Sequence, residues 1–395
     1  MTKALSLVSE QTTCIRVMSR LAWRRYHKTV FREDRMMNKV LVLFLAIATM
    51  STAGNAAAAD KINVLLPQRN ANEAIAPFLA AKYLGYLDQE GLDVSYLLVA
   101  GSNEVAIQVA SGNAPIGWAS PAQAVIGMQE GAAAPLDLQY FSSVEYRNIW
   151  SISVPVDSPI HAVAELKGKR IGVTALGSAA MNYGKAYLRG AGLDPDRDVT
   201  FVPIGAGGQA MAAMKQKVVD ALVFWETANV TFDIAGSPVR QLPIDKKLAL
   251  LPDVSLLAKR ETIKQQPKLL IGFGRALAKG LDFCLANRPA CVLLTWKLYP
   301  ESKPAEGTPE QKLARGLKMI STLDGWSDEE LGDKRGEFIE SRWNDLSDFL
   351  LQGGQISKPV PASRMFTREF VDEINKYDRA KIVKQAKEFD LKSLQ

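Results

Sequence analysis

Gly205-Ala206-Gly207-Gly208-Gln209-Ala210 opens a helical pattern after an extended run, and Glu226 ends the next apolar run about 20 residues on. This spacing fits the dinucleotide fingerprint, in which glycines admit a pyrophosphate to a helix N-terminus and an acid takes the ribose hydroxyls. An NAD-dependent oxidoreductase is therefore one reading of the chain. Other residue types count against it. The only histidines are His27 and His161, and His161 follows Ser158-Pro159-Ile160 in what reads as a surface turn. His27 and Cys14 fall in the first 59 residues, which read as a leader, and the remaining His161, Cys284 and Cys291 cannot build a His/Cys metal cluster. No carboxylate pair is marked by a motif as an acid/base couple. The expectation is no enzyme, no cofactor and no metal.

The remaining polar residues of interest sit where apolar extended runs give way to helices. These turns are Gln68-Arg69-Asn70, Gly101-Ser102-Asn103, Ser120, Gly177-Ser178 and Gly205–Gln209. Each alone reads as an ordinary cap. Together they offer free backbone N–H groups and helix dipoles that favour an anionic group. The expected ligand-binding residues are Gln68, Asn70, Ser102, Asn103, Ser120, Gly177, Ser178, Gly207, Gly208, Trp225 and Glu226. Ser178 is expected to donate its hydroxyl to the ligand, or else only to cap a helix. Trp118 and Trp225 end strands in different halves of the chain, which predicts an aromatic platform for a flat ligand body.

Strands alternating with helices must position these turns. The first set is predicted as strands Lys61–Leu66, Val94–Val99, Pro115–Ala119, Leu136–Phe141 and Trp150–Val154. Helices are predicted over Ala74–Leu84, up to Ala110, and from Ser120-Pro121, with Ser as N-cap. The second set has strands Arg170–Val173, Val199–Val202 and Ala221–Phe224, with helices from Gly177 to Gly190 and over Gln209–Lys217. Val254–Leu257 reads as a return strand. Helices then follow at Lys268–Ala286, Ala290–Leu298, Thr308–Ile320, Asp328–Leu350 and Thr367–Tyr377. This alternation predicts an α/β fold of two lobes, residues 60–150 and 151–253. Residues 254–395 would return to the first lobe and form a helical extension packed mostly upon it.

The 395 residues are 47% hydrophobic and 23% charged, a soluble globular balance. The net charge of +6 invites a nucleic-acid reading, but it is local. Nine of the 48 bases and three of the 42 acids precede Asp60, leaving 39 of each sign from Asp60 onward. A neutral body gives no support for phosphate-backbone binding. Residues 1–59 read as a leader. Lys39 precedes the apolar run Val40–Ala48, and Ala57-Ala58-Ala59 supplies the small-residue exit of a secretory signal peptide. Met36-Met37 marks an alternative start, with residues 1–35 as an upstream extension. Export to an oxidising compartment allows Cys284 and Cys291 to pair across Asn287-Arg288-Pro289, with two buried free thiols as the alternative.

Three stretches carry a family resemblance. They are Leu79–Leu87 with Glu90–Val94, then Ala110–Gly117, then Ser158-Pro159-Ile160 followed by Leu166–Val173, with Val219-Asp220-Ala221 as a weaker fourth. In this order they resemble the exported solute-binding proteins of ATP-driven importers, in the nitrate, sulfonate and taurine branch. The resemblance covers Lys61 to Asp253 well and the tail loosely. It implies a type II-like periplasmic binding protein that closes by a hinge on a small organic anion such as a sulfonate or aromatic carboxylate. A pyrimidine or thiamine-precursor solute is the alternative. The implied partners are the membrane permease and ATPase subunits of an ABC importer, and the implied state is a periplasmic monomer. Relatives that synthesise the thiamine pyrimidine use a cysteine-rich motif absent from this sequence. Exported protein is expected to begin near Asp60, with an isoelectric point about two units below the full-length value. N-terminal sequencing that found residues before Met36 would refute this.

Overall fold

The computed structural model describes residues 60–394; the leader, with the expected signal peptide, cleavage point and alternative start, lies outside the described residues. The first sheet collects β1 (Asp60–Leu66), β2 (Leu92–Leu98), β3 (Ile116–Ala119) and β4 (Leu138–Ser142). Helices α1 (Ala76–Tyr83), α2 (Ser102–Ala110) and α3 (Ala122–Met128) connect them. The second sheet holds β5 (Trp150–Pro155), β6 (Arg170–Val173), β7 (Thr200–Pro203), β8 (Ala221–Trp225) and β9 (Val239–Gln241). Its helices are α4 (Ala179–Gly190), α5 (Gly208–Lys215) and α6 (Glu226–Ile234). After the short α7 (Lys246–Ala249), β10 (Ser255–Lys259) rejoins the first sheet.

The strand orders are β2-β1-β3-β10-β4 and β7-β6-β8-β5-β9. In each sheet the strand entering from the other half is antiparallel: β10 against β3 and β4, and β5 against β8 and β9. The remaining pairings are parallel. The chain therefore passes between the sheets twice, over residues 143–149 and 242–254. These passages pair with each other: Asp253 N–H donates to Glu145 O at 3.0 Å and Glu145 N–H to Val254 O at 3.1 Å. One buried core runs through both sheets, uniting Tyr140 and Leu257 with Ile152 and Val223.

The tail comprises α8 (Arg260–Gln265), α9 (Pro267–Ala286), α10 (Arg288–Leu298), α11 (Pro309–Ile320), α12 (Glu340–Gln352), α13 (Ala362–Met365), α14 (Val371–Ile374) and α15 (Arg379–Lys387). α9 lies directly on α1, where a Cβ on Gly280 would stand 2.2 Å from Pro77 O. Arg275 and Lys279 of α9 also grip Glu90 at 2.8 and 3.4 Å.

The tail packs most heavily on α1 of the first half and also reaches the second, where α11 packs on α6 with Lys318 paired to Asp233 and α12 packs on α4 and α7. The structure corrects two expectations. The helix predicted over Asp328–Leu350 begins only at Glu340, since Gly332 and Gly336 take positive φ of 55° and 78°. That extended segment crosses the junction instead, with Ser143 N–H donating to Gly336 O at 3.1 Å. Of Thr367–Tyr377 only Val371–Ile374 is helical, because Thr367 N–H is used by Tyr140 O.

Cys284 and Cys291 form a disulfide between α9 and α10, their Cα atoms 5.5 Å apart. The bridge closes a loop of sequence separation 7. The chain-entropy relation gives so short a loop about 2.5 kcal/mol of stabilisation. Cys284→Ala with Cys291→Ala is expected to lower the unfolding free energy by roughly that amount. Intact mass of the untreated protein should show no free thiol at either position; two free thiols there would reject the bridge.

Candidate functional site

The carboxyl ends of the parallel strands, the usual ligand-binding edge of open α/β sheets, lie beside the two passages. Trp150 at the start of β5 pairs with Trp225 at the end of β8, and Ser255 at the start of β10 with Ala119 at the end of β3. The residues that end β3, β4 and β8 therefore gather around residues 143–149 and 253.

At the centre stands Asp253, fully buried. Its carboxylate accepts from Ser120 Oγ of the first sheet and from Ile149 N–H of the passage, the latter at 3.3 Å. Trp150 Nε1 of the second sheet donates to Ser120 Oγ at 3.2 Å, and Ser102 Oγ accepts from Ser120 N–H at 3.0 Å. Burial pushes Asp253 up to about 7, against the pull of these hydrogen bonds. The adjacent Glu145 is pushed well above the usual carboxylate range, first by burial and then by Asp253 and Glu226. Its Oε1 accepts from Trp326 Nε1 at 2.9 Å. Arg147 Nη2 donates to Glu226 Oε1 at 2.8 Å, and its side chain keeps 42% of its surface exposed. Burial raises Glu226, while Arg147 opposes the rise.

The structure redistributes the expected residues. Ser102 and Ser120 are buried members of the Asp253 network. Ser120 does not cap α3; Pro121 holds the N-cap position, because the serine hydroxyl is committed to Asp253. Asn103 and Gly177 do meet, Asn103 Nδ2 donating to Gly177 O at 2.7 Å and joining the N-terminal regions of α2 and α4 across the sheets. Ser178 stands at the N-cap position of α4, but its hydroxyl donates to Ala175 O at 2.7 Å. The oxygen makes no capping bond to the first turn of the helix. Gln68 and Asn70 bond to each other in an exposed turn, Gln68 Nε2 donating to Asn70 O at 2.9 Å. Gly207 and Gly208 open α5 beyond the edge strand β7.

The dinucleotide fingerprint fails on topology. Its acid, Glu226, follows β8, which β6 separates from β7, so it does not lie beside the glycine turn. Glu226 is also held by Arg147. The two indoles expected as one platform sit apart: Trp118 packs with Phe78 and Trp326, and Trp225 with Phe224 and Trp150.

Sequence reasoning missed Glu145, Arg147, Asp253 and Trp326. A signal existed for three of them. Charged residues interrupt apolar runs at Val144-Glu145-Tyr146-Arg147 and Pro252-Asp253-Val254, both at lobe boundaries. Among the described residues no group of His, Cys, Asp and Glu could hold a metal ion. No helix there is long and apolar enough to cross a membrane.

The NMT1/THI5-like family model matches residues 72–290, the stretch that holds α1, both passages and β10. The chain belongs to the NMT1/THI5-like family. Riboflavin-binding protein RibY of Chloroflexus aurantiacus is 24% identical over 310 residues, covering 76% of this chain and 83% of RibY. The family fold is seen in the alkanesulfonate-binding protein SsuA of Xanthomonas axonopodis pv. citri, solved with MOPS, at a TM-score of 0.57 and 19% identity. That match covers 78% of this chain and 98% of SsuA. The desulfurization enzyme DSZB shares it at a TM-score of 0.50 and 17% identity, with 80% and 98% covered. The family scaffold here is thus the two-lobed fold of periplasmic binding proteins with a helical C-terminal region.

The buried acid sets a pH dependence. Asp253 has a folded pKa of about 7, raised above the ordinary carboxylate value. Its contribution to stability is complete below about pH 4 and is lost as pH rises through 7. Asp253→Asn does not titrate, so wild-type stability relative to this variant should fall by at most about 1.4 kcal/mol per pH unit across that window. Urea unfolding of both proteins over the range checks it; a constant difference would refute it.

Proposed function

We propose that this chain is the solute-binding component of an ATP-driven importer, capturing a small organic anion between its two lobes. The observation that carries the reading is the half-exposed Arg147 beside the strand ends of both sheets, with only one of its guanidinium nitrogens committed to Glu226. A guanidinium there offers further N–H donors to a carboxylate or sulfonate. The Asn103–Gly177 bond brings two helix N-terminal regions together across the sheets, adding positive dipole ends. Family membership and the likeness to SsuA support a binding role. The exported, periplasmic location, the signal peptide, the permease and ATPase partners and the monomeric state belong to the same proposal.

The fold alone does not separate binding from catalysis, since DSZB is an enzyme. The residues favour binding. Both described cysteines are tied in the disulfide, and His161 lies exposed in its turn. A heterocyclic solute is the second reading, favoured by the match to RibY and by the indoles around the junction.

Thermal unfolding of the chain from Asp60 onward, with MOPS, benzoate, riboflavin and an aminopyrimidine added separately, tests the proposal. One class should raise the melting temperature in proportion to ln(1 + [L]/Kd). For an anion, Arg147→Gln should weaken binding roughly tenfold or more, as loss of a charge-assisted hydrogen bond implies. Stabilisation by riboflavin or the aminopyrimidine that ignores this change would move the assignment to the second reading. No stabilisation by any probe would overturn both.

A further inference from the structure

Trp118 Nε1 and Glu145 Oε2 are buried polar atoms with no hydrogen-bond partner. Both residues lie beside the junction, Trp118 at 4% and Glu145 at 8% exposure. One side chain links them: the Trp326 ring packs on Trp118 at 5.2 Å between centroids, and its Nε1 donates to Glu145 Oε1. Two unsatisfied atoms separated by a single indole are costly, each at the full desolvation penalty of its group. Such a cost is retained where a bound group relieves it.

The chemistry of that group follows from which atoms carry protons. Trp118 Nε1 can only donate. The charged groups facing Glu145 are Asp253 on the other passage, Glu226 at the start of α6, and Arg147 two residues along its own passage. Arg147 is already engaged by Glu226. An ionised Glu145 would thus be buried between like charges, so the neutral acid is the stable form. Its Oε1 accepts the Trp326 N–H, which leaves the acid proton on Oε2. Both unpartnered atoms are then donors.

We propose that Trp118 and Glu145 each offer a donor to accepting oxygens of the solute, be they of a carboxylate, a sulfonate or ring carbonyls. This rests on the reading that a solute enters between the lobes. Neutral donors satisfy such oxygens without requiring them to be charged, so Arg147 supplies the preference for an anion and the two donors fix orientation. Deprotonation of Glu145 would turn one donor into a charge that repels its oxygen.

The test is calorimetric titration of wild type, Trp118→Phe, Glu145→Leu and Glu145→Gln with MOPS, benzoate and riboflavin as probes. Trp118→Phe deletes the N–H and keeps the ring; it should weaken the bound probe roughly tenfold, and Glu145→Leu at least as much. Glu145→Gln keeps an acceptor for Trp326 and places an N–H donor at the Oε2 position. It should recover most of the affinity that Glu145→Leu loses, and remove the part of the wild-type pH dependence that comes from deprotonation of Glu145. If Glu145→Leu does not fold, the other two variants decide the matter. A folded Trp118→Phe that binds like wild type, or a Glu145→Gln with the wild-type pH profile, overturns the paired donors while the binding role stands. Failure of every probe to bind wild type overturns both.

Discussion

A single buried carboxylate fixes how the two halves of this chain meet. Asp253 lies where β10 returns to the first sheet, and its hydrogen bonds come from the residue that follows β3 and from the opposite passage just before β5. Trp150 of the second sheet reaches the same serine hydroxyl. Removing Ser120 Oγ would leave a buried acid short of a donor, at a cost of about 1–3 kcal/mol. The packing around the junction follows from this requirement. Tyr140, Tyr183 and Tyr187 crowd Asp253 with their phenols, all held above their ordinary range by burial and by the neighbouring acid.

The architecture was legible in the sequence because each element announces itself locally. Alternating apolar runs and glycine-closed helices gave both βα arrays and the return strand. The two antiparallel entries, β5 and β10, were consequences of chain path and carried no local pattern. The helical tail was less legible. Gly332 and Gly336 break the run after Asp328, but a lone glycine inside a helical pattern is often tolerated. What decided the matter was the use of that segment to cover Ser143.

The site was legible at the level of position and much less so at the level of individual hydrogen bonds. Ser120 and Ser102 stand at strand ends as expected, yet their hydroxyls serve the buried network. Ser178 stands at the mouth of α4, yet its proton goes to Ala175 O. Sequence can place a hydroxyl at a strand end; only tertiary structure says which acceptor reaches it first. Arg147, Glu145 and Asp253 escaped notice for a related reason. A strand-end search looks at turns before helices, and these residues lie on the passages, where no helix follows.

Magnitudes decide which contacts between the halves could yield to admit a solute. The tail spans the halves through Lys318–Asp233 and Lys247–Asp345, all four side chains part-exposed. Pairs of this kind are worth about 0–1 kcal/mol each. The Asn103–Gly177 bond at the opposite rim is exposed too, and one such bond contributes about 1 kcal/mol net. The junction is different in kind. Opening it would separate Asp253 from Ser120 inside a core shared by both sheets, and would expose the aromatic cluster beneath. The rim and the flanking ion pairs are therefore the weaker contacts between the halves, and the Asp253 crossing is the stronger one. Arg147 and Glu145 lie on one passage of that crossing, so under the proposed binding role a solute held there would rest on the most firmly joined part of the molecule.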